Sequence, residues 1–360
     1  MKSTRITRRG FVKTAVLSAG ALASPVFLRR AYAATPLSVG TFGGYFEEQV
    51  KEKVLPLFTE ATGIPTQSIP ISSGAPFFNG MRPAVEAGDP PMDVVMAGGG
   101  EIIKFNELFH RNDASALPNS WHLGDGFVSA DGDGRVYAVA VLAWYQIFAQ
   151  NTEYFPDPIQ SWAEIWDPKF NNSLAIADDI TDNGLLEITA HTFFGGDEAL
   201  NTKEGAMEVM KKALELKGNV TLWYGDEGQF ESALKTGEIP AGTYYHDVAQ
   251  LLIADGFPIA SVFPKEGGLI DFGSWSILRN SKNIDAAQQF LNFCCDPKVQ
   301  GDMSRGIGTA PVVSQEAAGM TDEEFALVSS PIEPIFPNYK FQVELADWAN
   351  EEWNKMLAAG

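Results

Sequence analysis

The chain has 360 residues, is 45% hydrophobic and 20% charged, and has a mean hydropathy of -0.07, a composition that can bury real cores and excludes a disordered, collagen-like or disulfide-stapled chain. At about 100 to 200 residues per domain, this length suits two domains. With 26 basic against 46 acidic residues the net charge is -20, which argues against a nucleic-acid binder, because neutralising phosphates takes basic surface.

The first 33 residues stand apart from the rest. Thr7-Arg8-Arg9-Gly10-Phe11-Val12-Lys13 precedes an apolar stretch from Thr14 to Leu28, and Ala31-Tyr32-Ala33 offers small residues for cleavage before Ala34. This is the twin-arginine export pattern, and it places the mature protein in the periplasm. The apolar run, about 15 residues, falls short of the about 20 that a spanning helix needs. Removing the segment takes away seven bases and no acids, which moves the charge from -20 to -27. The arginines that remain are Arg82, Arg111, Arg135, Arg279 and Arg305, too few for a multi-arginine clamp on a carboxylate or phosphate. The acidic excess suits a small cation instead. Cys294 and Cys295 are adjacent, which makes a mutual disulfide strained, and their amphipathic run Ala286 to Cys295 marks them as buried thiols.

The mature chain opens with a strand at Leu37 to Gly40, a turn through Phe42-Gly43-Gly44-Tyr45, and a helix from Phe46 to Ala61 that Gly63 stops. A strand at Thr66 to Ile71, a helical stretch to Ala87 and a strand at Asp93 to Ala97 complete a β-α-β-α-β opening. That alternation predicts a parallel sheet covered on both faces, with binding loops at the strands' carboxyl ends. Two β-rich segments, Val136 to Val141 and Ile147 to Gln150, mark a crossing between lobes near residue 140. A second α/β series follows, with strands at Leu174 to Ala177, Val220 to Trp223 and Ile239 to Thr243, and helices at 183–194, 204–216 and 228–235. Phe272 to Leu278 reads as a strand, Ile284 to Cys295 and Pro297 to Arg305 as helices, and Phe341 to Met356 as a closing amphipathic helix.

Gly43-Gly44-Tyr45-Phe46-Glu47, Pro56-Leu57-Phe58 and Ala61-Thr62-Gly63-Ile64 resemble the opening of polyamine-type (spermidine/putrescine-binding) periplasmic solute-binding proteins of ABC importers. Ser161-Trp162 through Lys169-Phe170, Pro264-Lys265-Glu266-Gly267-Gly268, Lys282-Asn283 through Phe293, and Gly308-Thr309-Ala310-Pro311 continue the resemblance in order. It implies a type II periplasmic-binding-protein fold, with two α/β lobes, each a doubly wound and mostly parallel sheet, joined by crossing hinge strands. On this reading residues 34–140 with 265–312 form lobe one, and 141–264 with 313–360 form lobe two. The implied protein is a monomer without a cofactor that closes over one small ligand and docks on a membrane permease.

In the polyamine-binding relatives, carboxylates pair with ammonium groups and aromatic faces pack on the methylenes, interactions that suit a desolvated cation. The resemblance and the strand ends together nominate Phe42, Tyr45, Ser73, Asp179, Asp182, Tyr244, Tyr245, Asp247, Asp271 and Trp275 as ligand-binding residues. Gly98, Gly99, Trp144, Trp223, Tyr224, Asp226 and Glu227 are further cleft candidates. Aligned without a gap on Glu266-Gly267-Gly268, this chain carries Asp271 where the relatives carry a Trp, and Gly273 where they carry an Asp. Two other readings stand beside this one. Consecutive tyrosines, Tyr244 and Tyr245, are also the cue of iron-binding cousins, whose phenolate oxygens suit a trivalent ion. A secreted hydrolase lacks support, because no nucleophile elbow, His-Glu-x-x-His or phosphate loop is present. Gly98-Gly99-Gly100-Glu101 before a helix could cradle an anion.

Overall fold

Two series of alternating strands and helices build one mixed sheet in the computed structural model, which describes residues 35–359 apart from Gly44, Ser73, Asp179, 181–183 and Asp226, and apart from the side chain of Tyr45. The twin-arginine segment lies outside the described residues. The strands are β1 (Leu37–Phe42), β2 (Thr66–Ile71), β3 (Val94–Gly98), β4 (Val128–Ala130), β5 (Val136–Asn151), β6 (Leu174–Ala177), β7 (Val220–Tyr224), β8 (Ala241–Tyr245), β9 (Ile259–Val262) and β10 (Leu269–Ile277). Their order across the sheet is β2-β1-β3-β10-β5-β8-β6-β7, with β4 and β9 also paired to β5.

The parallel pairs β1·β2 and β1·β3 form one half, and β6·β7 and β6·β8 the other. The antiparallel strands β5 and β10 run between the halves: β10 joins β3 to β5, and β5 joins β10 to β8. The two β-rich segments read around residue 140 are therefore one strand of 16 residues. Residues 142–146, which separated them in the sequence pattern, continue the ladder with β10. Burial on both faces turns the expected alternation into a near-continuous apolar run.

Helices cover the sheet where the 3.6-residue periodicity placed them. The first runs from Tyr45 to Thr62 with a π-helical turn at Val50–Val54, just before Pro56, whose missing N–H cannot continue the α ladder. Gly63 ends it in the left-handed region, at φ 76°. The closing helix is two pieces, Tyr339–Glu344 and Ala346–Ala359, because Leu345 leaves helical geometry at φ -126°. Strands β4 and β9 and a helix at His246–Ala254 add to the elements read from the sequence.

Two of the sequence segments that carried the resemblance meet in space, and a third is tied to the start of β3. Trp162 N–H donates to Glu266 Oε2 at 3.0 Å, and the Trp162 indole donates to the Gly267 carbonyl at 2.8 Å, tying the start of the second series to the loop before β10. Asn283 Nδ2 donates to both oxygens of Asp93, whose Oδ2 also accepts from Ser38 N–H at 2.9 Å. Cys294 and Cys295 are buried free thiols that burial holds above the usual thiol range.

Candidate functional site

Side chains alternate along a strand, and residues directly paired across an antiparallel ladder emerge on the same face. Asp271 pairs with Trp144, Leu269 with Gln146, and Gln146 with Tyr245. Asp271, Trp144, Gln146 and Tyr245 therefore share one face where the crossing strands meet, and Gln146 Nε2 donates to the Tyr245 hydroxyl at 3.4 Å. Tyr244, one residue earlier, takes the opposite face. It is fully buried, its ring lies 5.3 Å from that of Phe230, and its hydroxyl donates to Glu231 Oε2 at 3.2 Å.

A cavity of about 850 Å³ opens over Asp271 and Trp144. Phe42, Gly43 and Ile71 wall it at the ends of β1 and β2, as do residues 98–101 and Lys104 after β3, while Tyr339, Gln342, Asp347 and Asn350 wall it from the C-terminal helices. A chamber of about 310 Å³ shares Phe42 and Trp144 with it and is completed by Phe46, Glu227, Tyr245, Asp247, Val248 and Thr309. These spaces lie at strand carboxyl ends, where open α/β sheets bind ligands. The glycine run Gly98-Gly99-Gly100 is not an open anion cradle, because the Glu101 carboxylate accepts from the Gly98 amide at 2.9 Å and also from the Gly74 amide.

The site is acidic and aromatic. Burial raises the Tyr245 phenol far above its usual range, and the carboxylates of Glu227 and Asp271 add to the effect, so it stays neutral. Burial also raises the Asp247 carboxyl, against the opposing pull of backbone amide hydrogen bonds at Val248 and at Asp247 itself. Among the described residues, nothing hydrogen-bonds the buried Asp247 Oδ1 or Thr309 Oγ1.

Of the residues nominated from sequence, Phe42, Tyr245, Asp247 and Asp271 line these spaces, together with Gly98, Gly99, Trp144 and Glu227. Ser73, Asp179, Asp182 and Asp226, and the side chain of Tyr45, lie outside the described residues. Tyr244 and Trp275 belong to the core instead of the cleft. Trp275 is four residues beyond Asp271, about 13 Å along β10, and packs 5.5 Å from Phe290 under the helix Ile284–Cys294. Trp223 packs on Trp353 at 5.6 Å, and the Tyr224 hydroxyl donates to the Thr243 carbonyl at 2.8 Å. Because Tyr244 and Tyr245 take opposite faces, with hydroxyls committed to Glu231 and Gln146, they do not present a shared pair of oxygens to one ion. Among the described residues no group of three or more His, Cys, Asp or Glu side chains is placed to hold a metal.

Sequence reasoning missed Phe46, Thr309 and the C-terminal wall. Phe46 carried a signal, as an aromatic at the start of the first helix, 6.1 Å from Phe42 ring to ring. Thr309 sat in a segment noted only for its resemblance. The C-terminal wall had none, since an amphipathic helix does not announce what its ends touch.

The chain matches the family model of the bacterial extracellular solute-binding proteins over residues 57–326. It belongs to that family. The spermidine/putrescine-binding periplasmic protein of Salmonella typhimurium is 26% identical over 264 residues, covering 70% of this chain and 73% of that protein. Among solved structures, the PBP MotA from A. tumefaciens B6 in complex with glucopine superposes at a TM-score of 0.69 with 21% identity, covering 89% of this chain and 99% of that one. The spermidine/putrescine ABC transporter substrate-binding protein PotD of Streptococcus pneumoniae, in complex with calcium and HEPES, superposes at 0.68 with 17% identity, covering 90% and 100%. These likenesses establish the two-lobed fold. As a solute-binding protein, this chain holds a ligand and does not turn one over.

Proposed function

We propose that this extracellular solute-binding protein is the periplasmic capture component of an ABC importer, exported through the twin-arginine pathway. Its ligand is a small organic cation of the di- or polyamine class, which it delivers as a monomer to a membrane permease. The observation that carries this reading is the pairing of Asp271 with Trp144 on the cleft face, beside Tyr245 and within reach of the charge of Glu227. A carboxylate beside π faces in a partly desolvated space favours an ammonium group over a sugar or an oxyanion. The Salmonella relative's name points to the same ligand class. Asp271 takes over the role of the acid that relatives carry at the position of Gly273, where a Cβ would meet Leu142 and Met96 at 3.3 Å. Asp179 and Asp182 supply further acceptors from the loop after β6, whose far end, Gly184, packs against Leu269.

The test is a thermal-shift panel on mature, metal-stripped protein with putrescine, cadaverine, spermidine, a choline-like compound, an aminophosphonate, amino acids and ferric citrate at equal excess. A ligand at 100 times its dissociation constant adds about 2.7 kcal/mol of stability. A shift with a di- or polyamine is expected, reduced by about tenfold or more in affinity by Asp271→Asn, and by Asp179→Asn or Asp182→Asn. A shift confined to ferric citrate or to amino acids would contradict the proposal.

A further inference from the structure

The glycine run after β3, which cradles no anion, is covered by the C-terminal segment. The Tyr339 ring lies on Gly99, where a Cβ would overlap it, and Gln342 Oε1 stands 3.2 Å from where a Cβ on Gly100 would be. The two sides of this contact belong to different halves of the sheet. On one side, the Glu101 carboxylate accepts from the amides of Gly98 and Gly74, which fixes the run to the ends of β3 and β2. On the other side, Asn338 is hydrogen-bonded to Glu187 and Asp197, which follow β6, and Phe341 is fully buried. The last helix, Ala346–Ala359, is held to the same half, with Trp353 packed 5.6 Å from Trp223 of β7 and Lys217 Nζ donating to the Leu357 carbonyl at 2.7 Å. Tyr339 itself sits beside a crossing strand, its ring 5.9 Å from that of Phe272 in β10.

We propose that Tyr339 on Gly99 is a built-in latch that biases the two halves toward the arrangement described above, whatever solute the cleft takes. The contact is made of protein atoms alone, and each side is tied firmly to its own half. Dispersion is short-ranged: a gap of about 0.5 to 1 Å forfeits a quarter to a half of it. A ring laid flat on bare backbone therefore rewards one angle between the halves and is lost as they swing apart about β5 and β10. Glycine is what permits the approach, because any side chain at position 99 would push the ring away. A solute that touches both halves then adds to a bias already present, and less of its binding energy goes into closing the protein. The latch goes beyond the amine reading and does not depend on it.

The test measures the distance between the halves by double electron–electron resonance, on residues 34–360 dialysed free of solute. Spin labels are placed through Glu60→Cys and Lys211→Cys, exposed helix positions on either half, while Cys294 and Cys295 are buried. The latched protein is expected to show a dominant short distance. Tyr339→Ala lowers the ratio of short to long distances by about threefold or more. Gly99→Ala does the same by displacing the ring, and adds little when combined with Tyr339→Ala. Tyr339→Phe, which keeps the ring, matches the wild type. Distance distributions that are the same in the wild type, Tyr339→Ala and Gly99→Ala overturn the latch, as does a Tyr339→Phe variant as open as Tyr339→Ala. Because no solute enters the measurement, either result leaves the amine reading untouched.

Discussion

His246, beside the tyrosine pair, responds to pH through burial. It is 2% exposed, with Nε2 3.1 Å from the Ala326 carbonyl oxygen and Nδ1 2.8 Å from Ser261 Oγ. A carbonyl only accepts, so Nε2 carries the proton and Nδ1 accepts from the serine, a neutral tautomer assigned from its partners. Burial lowers the ring to about 4, against the opposing pull of the Ala326 carbonyl. An unfolded histidine titrates near 6.5, so the unfolded chain takes up the proton first as pH falls. The stability from a neutral His246 is thus complete above about pH 6.5, is lost as pH falls toward 4, and amounts to about 3 kcal/mol. Denaturant midpoints between pH 7 and 4 are expected to fall more steeply for the wild type than for His246→Gln; equal slopes would contradict this. The same segment shows what is legible at this scale. Tyr244-Tyr245-His246-Asp247 stands out in the sequence as a chemical cluster, yet the chain sends Tyr244 and His246 into the core and Tyr245 and Asp247 to the cleft. The register of β8 against β5 divides the two tyrosines, and the helix that starts at His246 divides the next pair; the residues of one segment do not contain either.

At the scale of elements, the C-terminal helices reach across the cavity. Asn338 anchors them, its N–H donating to Glu187 Oε1 at 3.1 Å and its Nδ2 to the Asp197 carbonyl at 3.2 Å, and Phe341 is buried beside it. Tyr339 then lays its ring directly on Gly99 at the end of β3, where a Cβ would overlap ring atoms. Gly99→Ala is expected to cost about 1 to 3 kcal/mol by overpacking, although alanine is otherwise the better helix former. The loss should shrink in a Tyr339→Ala background, as contacting residues couple. Equal losses in both backgrounds, measured by chemical denaturation, would show that the ring is not the obstacle. Most strands and helices were legible because their hydrophobic periods are clear: β2 and β6 fall where the pattern placed them. β5 was read as two pieces because a strand buried on both faces loses its alternation, and β9 was missed because four residues carry too little pattern.

For the whole molecule, the net charge of -20, the acidic and aromatic cleft and the crossing of β5 and β10 between the two lobes belong to one design. Under the proposed function, a cation would be drawn toward the acidic protein, and contacts from both lobes would favour the closed form over the open one. The resemblance along the chain was legible because its segments are structural locks, such as Trp162 on Glu266 and Asn283 on Asp93. The ligand was less so, since the residues that would hold it come from six or more distant segments. Equilibrium dialysis of residues 34–360 against labelled putrescine tests the central claim. The account predicts saturable retention of one putrescine per chain, displaced by spermidine and weakened by Asp271→Asn. No retention of either amine, with retention of an amino acid or ferric citrate by the same sample, would contradict it.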